Sequence, residues 1–160
     1  MTMHNTLMDV LHPDAVLLGL DASTSEEVIR LLAQRLQTLG YVRDTFADAV
    51  VKRELEMPTG LPLERDENVA VPHTDPEHVI KPGVALATLA RPVTFANMED
   101  PDEMLPVGTV FLLAIHDKDQ QIDTLRQIMT IIQSPIVLDG FKQAKSLGDI
   151  EALLGSNRKP

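Results

Sequence analysis

No cysteine occurs anywhere in the chain. A disulfide framework, a thiolate nucleophile and a cysteine-based metal site are therefore all excluded. Tryptophan is also missing, and aromatic residues make up 3% of a chain that is 44% hydrophobic. The core must be aliphatic, built from Leu, Ile, Val, Met and Ala. No apolar run reaches the roughly 18–20 residues a membrane-spanning helix needs, so direct membrane insertion is not expected. The first residues, Met1-Thr2-Met3-His4-Asn5, lack the basic and apolar regions of a secretory signal, which makes a cytoplasmic location the expectation. Basic residues are scarce too: 14 Lys and Arg stand against 24 Asp and Glu, for a net charge of −10. The densest basic stretch is the tail Arg158-Lys159, and nucleic-acid binding needs a positive footprint that this is not. An acidic surface suits encounter with a basic protein instead. Neither a Gly-x-x-x-x-Gly-Lys-Ser/Thr loop nor a Gly-x-Ser-x-Gly elbow occurs, which argues against nucleotide-driven phosphorylation and serine hydrolysis.

The chain is long enough for a substantial core and reads as one domain over residues 1–160, with its core at about 6–155. Residues 15–20 form a short apolar strand pattern. Ser23 and Glu26 have capping-box spacing, Val28, Ile29, Leu32, Leu36 and Leu39 repeat at helical period, and Gly40 stands where a helix ends. A second helix is expected from about Asp44 to Met57, stopped by Pro58. Strand patterns follow up to Val71, over Gly83–Leu89, briefly over Pro92–Phe95, and over Val107–Ile115, which reads as central and covered on both faces. Met98–Pro106 reads as an acidic, proline-bracketed loop. Asp117 or Asp119 caps a helix carrying Ile122, Leu125, Ile128, Met129 and Ile132; Ser134-Pro135 starts another, and Ser146 a last one. Strands and helices alternate with short links, the pattern of an α/β domain with helices on both faces of one sheet.

The chemistry concentrates in Val69-Ala70-Val71-Pro72-His73. Pro72 cannot donate a ladder hydrogen bond, so the strand stops and His73 is held at its end. A neutral imidazole can attack phosphorus when its other nitrogen is held by an acceptor. Upstream, Phe46, Val50, Arg53 and Met57 share one helical stripe, with Ala47, Val51 and Glu54 beside it. A guanidinium bordering a buried face requires a partner. That partner is either a structural carboxylate or a phosphoryl group, which suits the planar fork of Arg53. Thr59-Gly60 follows the helix-ending Pro58; the glycine permits close backbone approach and the threonine hydroxyl can donate to an oxygen. His73, Asp75 and His78 present a His-x-Asp-x-x-His spacing that raises a metal site as a rival, although it is not the His-Glu-x-x-His helix motif and Pro76 interrupts it.

Arg53-Glu54, Pro58-Thr59-Gly60 and Val69-Ala-Val-Pro-His73, in this order, resemble the enzyme IIA component of the bacterial sugar phosphotransferase system (PTS), in its fructose/mannitol superfamily. The resemblance covers nearly the whole chain. It implies a mixed, roughly five-stranded sheet flanked by helices. It also implies phosphotransferase activity through a phosphohistidine: His73 accepts a phosphoryl group from phospho-HPr and passes it to a IIB component that serves the membrane IIC permease. Arg53 is then the charge stabiliser, Glu54, Thr59, Gly60 and His78 belong to the binding site, and no metal or other cofactor is required. A site that docks two carriers in turn is expected to be shallow with an apolar rim, for which Leu61 and Leu63 are candidates.

Mannitol-type and nitrogen-regulatory members carry a second histidine at the start of the helix after the central strand. Here Gln121 takes that place, able to hydrogen-bond a phosphoryl oxygen but not to become cationic. His116 is close in sequence and is a second candidate for assisting His73. Galactitol-type IIA proteins are more similar: they share the glutamine, the Gln120–Arg126 run and the arrangement from Pro72 to His78. The resemblance therefore implies uptake of a galactitol-like sugar. The alternatives are a regulatory, nitrogen-type phospho-signalling module and, from the residues alone, a metal-dependent hydrolase.

Overall fold

The computed structural model describes residues 10–63 and 65–158. The expected core boundary at residue 6, and Lys159 of the basic tail, lie outside the described residues. Within them are five strands, β1 (Leu11–Leu20), β2 (Gly60–Leu61), β3 (Asn68–Ala70), β4 (Gly83–Asn97) and β5 (Asp100–Ala114). Five helices accompany them: α1 (Ser25–Thr38), α2 (Phe46–Glu56), α3 (Lys118–Ile132), α4 (Pro135–Gln143) and α5 (Leu147–Arg158), with a 3₁₀ turn at Pro76–His78. The expected α/β architecture, a mixed five-stranded sheet with helices on both faces, is what forms.

The sheet is covered on both sides because its central strands alternate between two cores. Along β4, Ala85, Ala87 and Leu89 face a cluster with Val28, Ile29, Leu32 and Leu36 of α1 and Phe46 and Val50 of α2. Val84 and Leu86 face the other way, onto Ile128 and Ile132 of α3, Phe141 of α4 and Ile150 of α5. β5 repeats the pattern, with Val110, Leu112 and Ala114 on the first side and Phe111 and Leu113 on the second. This is the period of two that a strand imposes. It makes Val107–Ile115 central, as the sequence pattern implied.

Three local expectations shift. The first helix is capped one residue later than the Ser23–Glu26 spacing implies: Thr24 Oγ1 accepts from Glu27 N at 3.1 Å, and Glu27 reaches back to Ser23 N at 2.8 Å. Its end is as expected, with Gly40 at φ +85° and Tyr41 N donating to Leu36 O at 2.9 Å, a Schellman closure. Asp117 caps α3, and Ser134 caps α4 ahead of Pro135. Second, the two short strands expected around residues 83–95 are one. The register jumps between Thr88↔Thr109 and Val93↔Val107, so a bulge absorbs the intervening residues and the strand continues. Third, Met98–Pro106 is not a loop. Met98 and Glu99 make the turn, and β5 then runs antiparallel to β4, pairing Phe95 with Leu105 and Thr94 with Pro106. Buried Leu105 anchors this segment; its prolines are tolerated because β3 joins β5 from Val107 onward, leaving residues 100–106 as an edge.

The bulged hairpin curls back. β4 pairs with β5, β5 with β3, β3 with β2, and β2 again with β4 at Gly60↔Asn97. Four strands thus close a ring, with β1 added on the outer side of β4. Pro72 leaves this ring at the C-terminal end of β3, where its carbonyl accepts from Leu113 N of β5 at 3.0 Å. The loop that carries His73 is thereby tied to the buried half of β5.

Candidate functional site

His73 is half-buried, and its Nδ1 lies 2.9 Å from the Val71 carbonyl oxygen. A carbonyl can only accept, so Nδ1 carries the proton and Nε2 carries the lone pair. Burial pushes the imidazole below its ordinary pKa, the bond to Val71 opposes that, and the charge of Arg53 lowers it further while Asp75 raises it. The ring is therefore neutral at neutral pH and offers one nucleophilic nitrogen of defined identity.

Arg53 comes to this loop from the last turn of α2. Its Nη1 lies 3.2 Å from Asp75 Oδ1, with 31% of the arginine side chain and 64% of the aspartate side chain exposed. One contact at such exposure is a weak tie, worth roughly 0–1 kcal/mol. It positions the guanidinium without consuming its planar fork. The helical stripe assigned from the sequence is buried at its start, where Phe46 and Val50 are fully covered, and emerges toward its end, where Met57 is 57% exposed. Arg53 sits at that emergence.

Glu54, the next residue, turns to the other flank. Its Oε2 accepts from Thr59 N at 2.9 Å and its Oε1 from Thr59 Oγ1 at 2.8 Å. Burial raises the carboxyl to about pH 7, against the opposing pull of those two bonds. The Thr59 hydroxyl thus donates to Glu54. Gly60 has a backbone reason of its own: a Cβ placed there would lie 2.5 Å from the Ala96 carbonyl oxygen and 3.3 Å from Leu105 Cδ1. The close approach the glycine allows is to the curled hairpin.

The remaining candidates sit differently. His78 Nδ1 pairs with Thr45 Oγ1 at 2.8 Å, at the start of α2, and its Nε2 lies 3.7 Å from Glu77 Oε2. Gln121 is half-exposed in the first turn of α3, its N–H bonded to Asp117 O at 2.9 Å, and His116 is exposed at the end of β5. Among the described residues no three or more His, Asp or Glu side chains converge as metal ligands, so His73, Asp75 and His78 do not form such a group. Leu61 is buried in the second core, which corrects its assignment to an apolar rim, while Leu63 is half-buried against the same core. A strand pairing on both sides turns Leu61 inward; Leu55 and Met57 of the α2 end and Ile122 of α3 are among the large apolar residues left exposed. Sequence reasoning did not single out Asp75 as the partner of Arg53 nor the Val71 carbonyl as that of His73. For Asp75 the available signal was a carboxylate two residues beyond the histidine; a backbone acceptor leaves no signal in residue types.

Residues 9–157 match the family described as phosphoenolpyruvate-dependent sugar phosphotransferase system, EIIA 2. A mannitol-specific EIICBA component of a PTS from Vibrio cholerae is 27% identical over 151 residues, 92% of this chain but 22% of that protein. A galactitol-specific EIIA component from Escherichia coli strain K12 is 28% identical over 121 residues, 76% of this chain and 79% of that protein. Among solved structures, enzyme IIAMTL from Escherichia coli, in complex with phosphorylated enzyme IIBMTL, superposes with a TM-score of 0.73 at 25% identity, covering 91% of this chain and 96% of the other.

Proposed function

We propose, from the premise that this chain belongs to the phosphoenolpyruvate-dependent sugar phosphotransferase system EIIA 2 family, that it carries a phosphoryl group on Nε2 of His73. The observation that carries this reading is the His73–Val71 hydrogen bond, which leaves Nε2 as the nucleophile of a neutral ring. Phospho-HPr is the donor in this proposal and a IIB component the acceptor. The Nε2 lone pair forms a nitrogen–phosphorus bond as the donor's own nitrogen–phosphorus bond breaks in line, and the donor imidazole leaves with the released electron pair. In the onward step a nucleophile of the IIB component attacks phosphorus in line, and the His73 nitrogen–phosphorus bond breaks to return the electron pair to Nε2. There is little covalent work for a protein to do in such a transfer, so positioning and charge stabilisation set its rate. Arg53 supplies the charge by turning its free donors from Asp75 to the phosphoryl oxygens. Gln121 supplies a neutral donor, and exposed Leu55, Met57 and Ile122 supply apolar surface for the carriers.

A cytoplasmic carrier that acts through a membrane IIC permease fits a chain in which no described helix is long and apolar enough to cross a membrane. Transport of a galactitol-like sugar is favoured over a regulatory role by Gln121 at the position where regulatory members carry histidine, and by the likeness to a galactitol-specific EIIA component. Incubation with phosphoenolpyruvate, enzyme I and HPr labels the wild type and leaves His73→Ala unlabelled. Labelling of His73→Ala, or none of the wild type, overturns the assignment. Transfer onward to a galactitol-type IIB, and not to a mannitol-type one, tests the sugar class.

A further inference from the structure

Arg53 and Glu54 are adjacent residues of opposite charge, and they grip the His73 loop from its two ends. Arg53 reaches Asp75 on the downstream side. Glu54 reaches the upstream side through a continuous series of bonds. Its carboxylate accepts the Thr59 N–H and hydroxyl at 2.9 and 2.8 Å. The Thr59 carbonyl accepts from Val71 N at 3.3 Å, extending the β2–β3 ladder by one rung beyond Gly60↔Ala70. The Val71 carbonyl then accepts the His73 Nδ1 proton at 2.9 Å. Every link is buried or half-buried.

Buried carboxylates are costly unless they are bonded, and this one is bonded to a single residue whose backbone holds the strand that holds the histidine. A stabilising ion pair would not account for the arrangement, because Glu54 accepts from Thr59 while the neighbouring guanidinium of Arg53 goes to Asp75. We propose that Glu54 is a positioning residue for phosphoryl transfer, fixing the His73 ring in its Nδ1–H form through Thr59 and Val71. This rests on the reading of His73 as phosphoryl acceptor, and it adds a residue that never touches the phosphoryl group. The raised pKa of Glu54, about 7, agrees with a carboxyl enclosed by the protein. Outer partners that orient a reacting imidazole fix its tautomer and aim.

The test uses the full chain and two independent readouts. Nitrogen-15 NMR of the unphosphorylated protein reports the His73 tautomer, and rapid-quench labelling from phospho-HPr reports the transfer rate at saturating donor. The wild type shows the Nδ1–H form. Glu54→Ala is expected to mix the two tautomers and to slow transfer by up to about 100-fold, with KM for the donor little changed, as misplacement of a reacting group does. Glu54→Gln, which keeps an acceptor for Thr59 N, is expected to fall between the two in both readouts. Thr59→Val, which retains the backbone carbonyl, serves as a second variant should Glu54→Ala not fold, and is also expected to be intermediate. Folded variants with the wild-type tautomer and rate would overturn the proposal, even if their melting temperature dropped. A tautomer shift in Glu54→Ala without any phosphoryl labelling of the wild type would uphold the positioning and overturn the functional reading beneath it.

Discussion

The Nη1 of Arg53 stands 3.2 Å from Oδ1 of Asp75, so the side chain that α2 delivers to the site is held in place by the loop it serves. The pair is open to solvent and joined by one contact, which separates its two roles in energy. Its contribution to stability is small. In the proposed transfer, where a fork of donors meets the phosphoryl oxygens, its contribution is expected to be large. Arg53→Ala is therefore expected to slow labelling by about 100- to 1,000-fold, the cost of removing one dedicated charge-stabilising donor. Its unfolding free energy should change by no more than about 1 kcal/mol. Arg53→Lys should lie between the two, since one ammonium cannot replace a bidentate fork. Equal rates in wild type and Arg53→Ala would make the residue structural.

His73 should titrate below the ordinary histidine value of about 6.5. The native ring then binds fewer protons than the unfolded one as pH falls. Its contribution to stability is thus fully present above the unfolded pKa and is lost as pH falls through the lower folded pKa. The neighbours act with opposite signs. Arg53→Ala should raise the NMR midpoint of His73, and Asp75→Asn should lower it further. Unmoved midpoints in both variants would refute this electrostatic account of the site.

Glu54 gives the reverse dependence. Its folded pKa, about 7, lies above the reference value of 4.5, so the native state holds the proton longer than the unfolded chain does. Stability from this group is complete below about pH 4.5 and declines as pH rises to about 7. The full excursion is on the order of 3 kcal/mol, from one pKa unit being about 1.4 kcal/mol. Urea melts of wild type and Glu54→Gln between pH 4 and 9 should diverge across that window and run parallel above it. Parallel curves throughout would show that the carboxyl titrates normally.

Gly60→Ala should destabilise the fold by about 1–3 kcal/mol, as overpacking does. The added methyl would meet the Ala96 carbonyl, a backbone atom that cannot swing away. Denaturant midpoints measure this directly. Gly148→Ala, where the nearest neighbour is Ser146 Oγ at 3.6 Å, is the control and should be near neutral.

Much of this architecture is written in residue patterns. The apolar run at Val107–Ile115, the capping residues Asp117 and Ser134, and the αL position at Gly40 are local features whose physics does not depend on the rest of the chain. The hairpin at residues 97–106 is different. Its acidic, proline-containing outer strand pairs because a bulge turns it over the sheet and seats Leu105, a tertiary effect that overrides local turn chemistry. Leu61 was similarly hidden, since two-residue β2 acquires its facing from β3. At the site, Arg53 and His73 were legible because an arginine beside a buried stripe and a histidine after a strand-ending proline are unusual on physical grounds. The acceptor of His73 is a backbone carbonyl and could not be read from side chains.

The ring closed by Gly60 and Asn97 has a kinetic consequence. Its last bond joins segments far apart along the chain, with β3, the 3₁₀ turn and most of β4 between them. Contacts of such long range form slowly, because the loop entropy must be overcome before they stabilise anything. The Thr59–Gly60 corner gets its final shape when the hairpin docks, and that corner anchors the strand leading to the histidine. On the proposed reading of His73, competence to accept a phosphoryl group is expected to come late in folding, together with global closure. A partly folded copy would then present a histidine with no fixed aim.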